Sequence, residues 1–312
     1  MKILDVLALL LLIGALCIGV YVMWINLPIN DRTYVPFSAN FTSSLSELER
    51  VNASNEIVQF YPNMRFKNKN ISYRLESICT QTKWTNIEKA FSIISGRTVL
   101  RFYPSRENPE IKVLCSEISP ESEEKGHFIA GEGGPSEIIN TTNFAVILNG
   151  RISLYKDEVC DEPKIAIHEI LHALGFDHYN NTESILYPIT GCKQEIDGEI
   201  IEIINQLYSF ESLPDLVIES INANRTGRYL NFDINVSNIG LADARGANLD
   251  VYANDNKIAN FTLEDMEIGM RRMLFVKNVR LPGSSDNIVF VVESDDKREL
   301  NLDNNRAELS VV

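Results

Sequence analysis

The sequence predicts an α/β or α+β domain, followed by an all-β sandwich. Three observations carry this. Between Met64 and Phe210, short β-type runs alternate with helix-period segments, the pattern of strands and helices sharing one core. Across Glu211–Pro214 the pattern changes, and beyond it Leu230, Phe232, Ile234 and Val236 alternate with polar residues. About seven such runs in roughly a hundred residues is the spacing of an immunoglobulin-like sandwich.

Residues 1–25 come first. From Val6 to Trp24 the chain is apolar and uncharged, with Lys2 before the run. That length suits a transmembrane anchor, and Trp24 suits the interface. A cleaved signal peptide is the rival reading, but its apolar core is usually about 7–15 residues, and Tyr21-Val22-Met23-Trp24 offers no small-x-small cleavage site. The expectation is a single-pass cell-membrane protein with its domains extracellular, or a secreted one if the segment is removed. Residues 26–62, rich in Ser, Asn and Thr, read as an extracellular linker with a short helix at Ser44–Val51.

Residues 63–210 form the α+β unit. Ile71–Leu75, Val99–Tyr103 and Ile111–Ser116 read as strands, and Thr80–Ile94 as a helix burying Trp84, Ile87, Ala90, Phe91 and Ile94. Gly131–Pro135 belongs to a loop, and Ala145–Leu148 and Arg151–Tyr155 are extended. Asp161 as N-cap and Pro163 in the first turn predict a helix to Leu174, ended by a left-handed Gly175. Gln194–Tyr208 reads as the last helix. Residues 214–312 are the sandwich.

The chain of 312 residues carries a formal net charge of −14 with 45% hydrophobic and 23% charged residues. That balance repels nucleic acid, which is excluded as a partner. Outside the apolar run stand four cysteines, Cys79, Cys115, Cys160 and Cys192. An even number suits disulfides in an exported chain, with three connectivities open. Eight N-x-Ser/Thr sequons between Asn40 and Asn260 fit a surface glycoprotein.

Three of the four histidines lie in one short run, His168-Glu169-Ile170-Leu171-His172-Ala173-Leu174-Gly175-Phe176-Asp177-His178. On a helix, His168 and His172 share a face and reach one ion. Gly175 lets the chain turn so that His178 returns as a third ligand. Three imidazoles with an open fourth position make a catalytic zinc site, whereas a structural site closes with a fourth protein ligand. Glu169, beside the ion without ligating it, is the expected general base, taking a proton from a zinc-activated water and passing it to a leaving amine. Asp157, Glu158, Asp161 and Glu162 could hold calcium, or be a solvated cluster at a helix N-terminus.

His168-Glu169-x-x-His172-x-x-Gly175-x-x-His178 resembles the zinc motif of the metzincins. Ser184-Ile185-Leu186-Tyr187-Pro188 resembles the Met-turn of their matrixin branch, with Leu186 in place of methionine, a near-isosteric exchange. The resemblance covers about Met64 to Phe210. It implies a metzincin-like α+β catalytic domain, a twisted mixed sheet with helices, that acts as a zinc metalloendopeptidase and binds an extended peptide or protein substrate. Ala145–Leu148 would lie near the edge strand where the substrate pairs, and Tyr187 and Pro188 would stand beside the S1′ pocket. Within this frame, a Cys160–Cys192 bond would clamp the loop carrying His178, and Cys79–Cys115 would tie the first helix to a strand. The C-terminal segment, from Leu213-Pro214-Asp215-Leu216-Val217 to Leu302-Asp303-Asn304-Asn305, resembles a CARDB domain, which implies attachment to a cell-surface polymer or protein. The alternative is a catalytically silent surface adhesion protein that retains a zinc site.

Overall fold

The structure, a computed structural model, describes residues 12–22, 35–40, 59–121, 128–283, 285 and 287–311. The expected single-pass cell-membrane location is overturned. Among the described residues no helix is long and apolar enough to cross a membrane. Residues 12–22 are helical. The helix expected at Ser44–Val51 lies outside the described residues. Within the stretch read as a linker, Val35–Asn40 forms strand β1.

The α+β domain holds β2 (Met64–Phe66), β3 (Asn70–Leu75), α1 (Gln81–Arg97), β4 (Arg101–Pro104), β5 (Ile111–Cys115), β6 (Gly131–Asn140), β7 (Ala145–Leu154), α2 (Lys164–Ala173) and α3 (Gly198–Leu207). Parallel pairing joins β2 and β5 to one side of β7, then β3 to β5 and β4 to β3. On its other side β7 pairs antiparallel with β6, which forms the edge of the sheet. The segment Gly131–Pro135, read from the sequence as a loop, is therefore the start of the edge strand. Glycine and proline are poor strand formers, but an edge tolerates proline, and the register slips beside Pro135. Helix α1 starts where the Thr80 side chain accepts the Lys83 N–H, and it buries Ile87, Ala90, Phe91 and Ile94. Helix α3 begins at Gly198 rather than Gln194. The Gln194 side chain instead donates to the Ile189 carbonyl and accepts from the Gly191 N–H, which holds that stretch as a turn.

Arg65 is 2% exposed. Its guanidinium donates to the carbonyls of Phe66, Lys67, Leu207 and Phe210 and stacks 4.3 Å from the Tyr208 ring centroid. It thereby neutralises the carbonyl end of α3 and fixes the chain leaving the domain. Arg65→Met should cost about 3 kcal/mol of stability, because it orphans several buried acceptors. Chemical denaturation measures this, and a cost within ~0.5 kcal/mol would contradict it.

The sandwich is antiparallel: β8 (Leu216–Thr226), β9 (Tyr229–Asn238), β10 (Ala244–Ala253), β11 (Asn256–Met266), β12 (Arg271–Arg280), β13 (Asn287–Glu293) and β14 (Arg306–Val311). These strands form β11-β10-β13-β14 and β8-β9-β12, and β1 joins the two sheets by pairing antiparallel with β14 and β8. Alternate residues such as Leu230, Phe232, Ile234, Leu249, Val251 and Phe290 fill the core between them.

The two domains share a small apolar cluster of Phe144, Val146, Leu241 and Ile268, with Phe210 packed against it. Beside it lies Asp215, 2% exposed, accepting from the side-chain amides of Asn304 (2.9 Å) and Asn143 (3.4 Å). Burial pushes the Asp215 carboxyl up to about 6, against the pull of Asn304. Burial likewise pushes Glu299 up to about 7, although it accepts from the Leu216 N–H at 2.6 Å. Both folded values lie above ordinary unfolded ones near 4, so the folded chain keeps protons that the unfolded chain releases. This contribution is complete below about pH 4 and lost as pH rises through about 6 to 7. The thermal midpoint should therefore fall across that window, and the fall should flatten in Asp215→Asn/Glu299→Gln. An equal fall in that variant would rule the pair out.

Candidate metal centre

The motif helix α2 lies against β6 and β7, a fit that glycines permit. A Cβ at Gly133 would stand 2.8 Å from the Glu169 backbone Cα and carbonyl carbon, and nearer still to its oxygen. A Cβ at Gly131 would stand 2.7 Å from Glu169 Oε1. The expected Asp161 cap is replaced: α2 has Pro163 at its N-cap with no side-chain cap. Glu158 supplies the acceptor, taking the N–H groups of Val159 (3.0 Å), Cys160 (3.1 Å) and Ile165 (2.9 Å). Seven residues separate Glu158 from Ile165, a spacing that no capping pattern in the sequence signals. At the other end Gly175 has φ +99°, and a Cβ there would meet Met64. The chain then turns, and His178 comes back beside the helix.

His168, Glu169 and His172 are buried, and His178 is exposed. The three histidines offer ring nitrogens within 4.8 Å of one another, the one group of three or more His, Cys, Asp or Glu residues among the described residues that could hold a metal ion. His168 Nδ1 lies 2.6 Å from the Ile185 carbonyl and His172 Nδ1 2.7 Å from the Phe176 carbonyl. A carbonyl only accepts, so each Nδ1 carries the proton and each Nε2 is a bare lone pair. The two Nε2 atoms stand 2.9 Å apart. Burial lowers His168 to about 3, and it lowers His172 as well. Two converging lone pairs call for a cation, and the all-imidazole donor set fits zinc. Glu169 is pushed up to about 8, first by burial and then by Glu132; a dication among the imidazoles would draw it down.

Leu186 is fully buried, Tyr187 is half-buried and Pro188 is exposed. A cavity of about 960 Å³ opens over the histidines and Glu169, bordered by Gly131–Gly133, residues 156–160 and residues 188–192. Pro188 borders it. Phe60, upstream of the domain, also borders it, with its ring 5.9 Å from His172; nothing in the local sequence marks it. Of the four acidic residues weighed for calcium, Glu158 is committed to backbone N–H groups and Glu162 pairs with Lys164 at 2.9 Å. The structure joins Cys79 to Cys115 and Cys160 to Cys192.

The model of the matrixin family matches residues 65–209, and that of CARDB matches residues 213–309. No curated protein matches the chain. Among solved structures, a crystal structure of a CARDB domain from Pyrococcus furiosus in complex with di-metal ions is 22% identical, with a TM-score of 0.26, covering 32% of this chain and 90% of that one. A solution structure of a CARDB domain from the same organism is 20% identical, with a TM-score of 0.28, covering 32% and 95% respectively.

Proposed function

We propose that this chain, a matrixin domain over residues 65–209 joined to a CARDB domain over residues 213–309, is an exported zinc metalloendopeptidase. The observation that carries the reading is the pair of bare Nε2 lone pairs converging with His178 in an open cleft beside Glu169. His168, His172 and His178 are the proposed ligands. Zinc held there would acidify a water and polarise a carbonyl. The Ile185 and Phe176 carbonyls fix the two buried rings, so each presents Nε2 to the ion. Glu169 takes the proton from the attacking water and delivers it to the departing amine. An extended peptide pairs with the free edge of β6, which would bring its backbone past the ligands. Gly175, Leu186, Tyr187 and Pro188 are proposed as support for the ligands and the cleft wall.

Two disulfides support a location outside the cell. The sandwich is proposed to hold a cell-surface polymer or protein. Its edge strand β12 exposes Met273 (53%) and Phe275 (69%), a surface such a contact would cover.

The purified chain should bind about one zinc and hydrolyse unstructured peptides internally. A chelator should stop hydrolysis, and added zinc should restore it. Metal analysis and peptide mapping check this; hydrolysis indifferent to the chelator, or no bound metal, would end the reading.

A further inference from the structure

Along the stretch of β6 that passes the metal centre, one side chain stands between two glycines. The Ala130 carbonyl accepts the Tyr155 N–H from the β7 side, so in the alternating antiparallel ladder Glu132 and Gly134 also bond inward to β7. Gly131 and Gly133 therefore turn their N–H and C=O groups outward, to the open edge. An added Cβ at either glycine would meet Glu169. Side chains alternate along a strand, so Glu132 projects to the other face, and it borders the cavity from there. The Tyr155 hydroxyl donates to Glu132 Oε2 at 2.6 Å, which holds the carboxylate and leaves Oε1 for a second partner. Among the described residues Glu132 makes no ion pair. Two cations lie near by in the sheet and its rim. Arg151 pairs in register with Gly134, and Lys156 lies 5.6 Å from the centroid of the Phe128 ring; neither is bonded to Glu132.

We infer that Glu132 selects a lysine or arginine at the substrate residue paired opposite it, so that the cleft prefers a basic peptide. The inference deepens the peptidase reading and rests on it for the approach of the substrate along β6. A peptide antiparallel to β6 bonds to the outward groups of Gly131 and Gly133. Its residue between them then stands opposite Glu132 in a non-hydrogen-bonded pair, the arrangement that brings side chains closest, with Cα atoms about 4.5 Å apart. The two side chains share one face, where opposite charges attract and like charges repel. The flanking glycines offer the peptide no side chain of their own, so charge rather than shape decides at this position. It lies close to the scissile bond, because the glycines on either side of Glu132 abut the general base. Asp157, which also borders the cavity, adds charge of the same sign.

Binding and cleavage test this separately. Fluorescent octapeptides of one host sequence would carry lysine, norleucine or glutamate at one central position at a time. They would be titrated into the zinc-loaded Glu169→Ala chain, in which the Glu132 charge cannot act through Glu169. Norleucine keeps an aliphatic stem like that of lysine without the charge. At one position lysine should bind about threefold more tightly than norleucine and about tenfold more tightly than glutamate. Adding Glu132→Gln should erase the gap between lysine and norleucine. Adding Glu132→Lys should reverse the order, with glutamate bound best at that same position. Both substitutions replace an exposed side chain, so zinc content should not change; should one variant lose zinc, the other decides. Equal binding at every position, or an order that neither variant alters, overturns the inference. The unmutated chain is given the same peptides. Cleavage without a lysine preference leaves the peptidase reading standing and removes the role of Glu132, whereas the preference in binding with no peptide cleaved does the reverse.

Discussion

Replacing Glu169 with alanine should leave the chain folded and zinc-bound while lowering kcat for peptide hydrolysis by about 10²–10⁴-fold. The expectation follows from position. Glu169 is 5% exposed and borders the cavity over the histidines, but its carboxylate is not part of the ligand group. Removing it leaves the bonds that orient His168 and His172 intact, because those run to the Ile185 and Phe176 carbonyls. Glu169→Gln should behave alike, since an amide matches the shape without accepting a proton. Zinc content and steady-state kinetics on one peptide separate the two roles. Near-normal kcat in the alanine variant would show that another group moves the proton.

The second large effect concerns the edge strand. Gly133→Ala should abolish hydrolysis and cost about 3 kcal/mol of stability, because the added methyl meets backbone atoms of Glu169 that cannot yield singly. Strand β6 would have to lift off α2, carrying the pairing edge away from the ligands. Gly131→Ala meets only the Glu169 side chain. It should spare stability to within ~1 kcal/mol while displacing the carboxylate, so kcat falls and zinc stays. Denaturation curves and kinetics on the two variants therefore give different patterns. Wild-type activity in Gly133→Ala would mean that the strand does not sit on the helix.

What was legible in the sequence was what is local. The spacing of His168 and His172 places both on one helical face whatever surrounds the helix, and Gly175 marks the turn that brings His178 back. Period-two runs such as Leu230 to Val236 announce a sandwich because burial of one face imposes them. The remainder depends on partners far along the chain. Glycines 131 and 133 look like a loop until α2 is seen to need a strand without side chains there. Glu158 looks like one of four solvated acids until the start of α2 is found beside it. Hydropathy gave the N-terminal run the length of a membrane span, yet among the described residues no helix is long and apolar enough to cross a membrane.

Strand β1 is bonded to β8 and β14, yet residues 41–215 separate it from the first and 41–305 from the second. The α+β domain is in this sense an insertion, an excursion of the chain between two neighbouring strands of one sandwich. On a ribosome, β1 emerges before its partners, so it must wait while the whole α+β domain is made and folds. The cleft is thus shaped before its mount exists. Closing the sandwich then fastens the inserted domain at both its entrance and its exit. A single proteolytic nick in either connection would cut one fastening and leave the other.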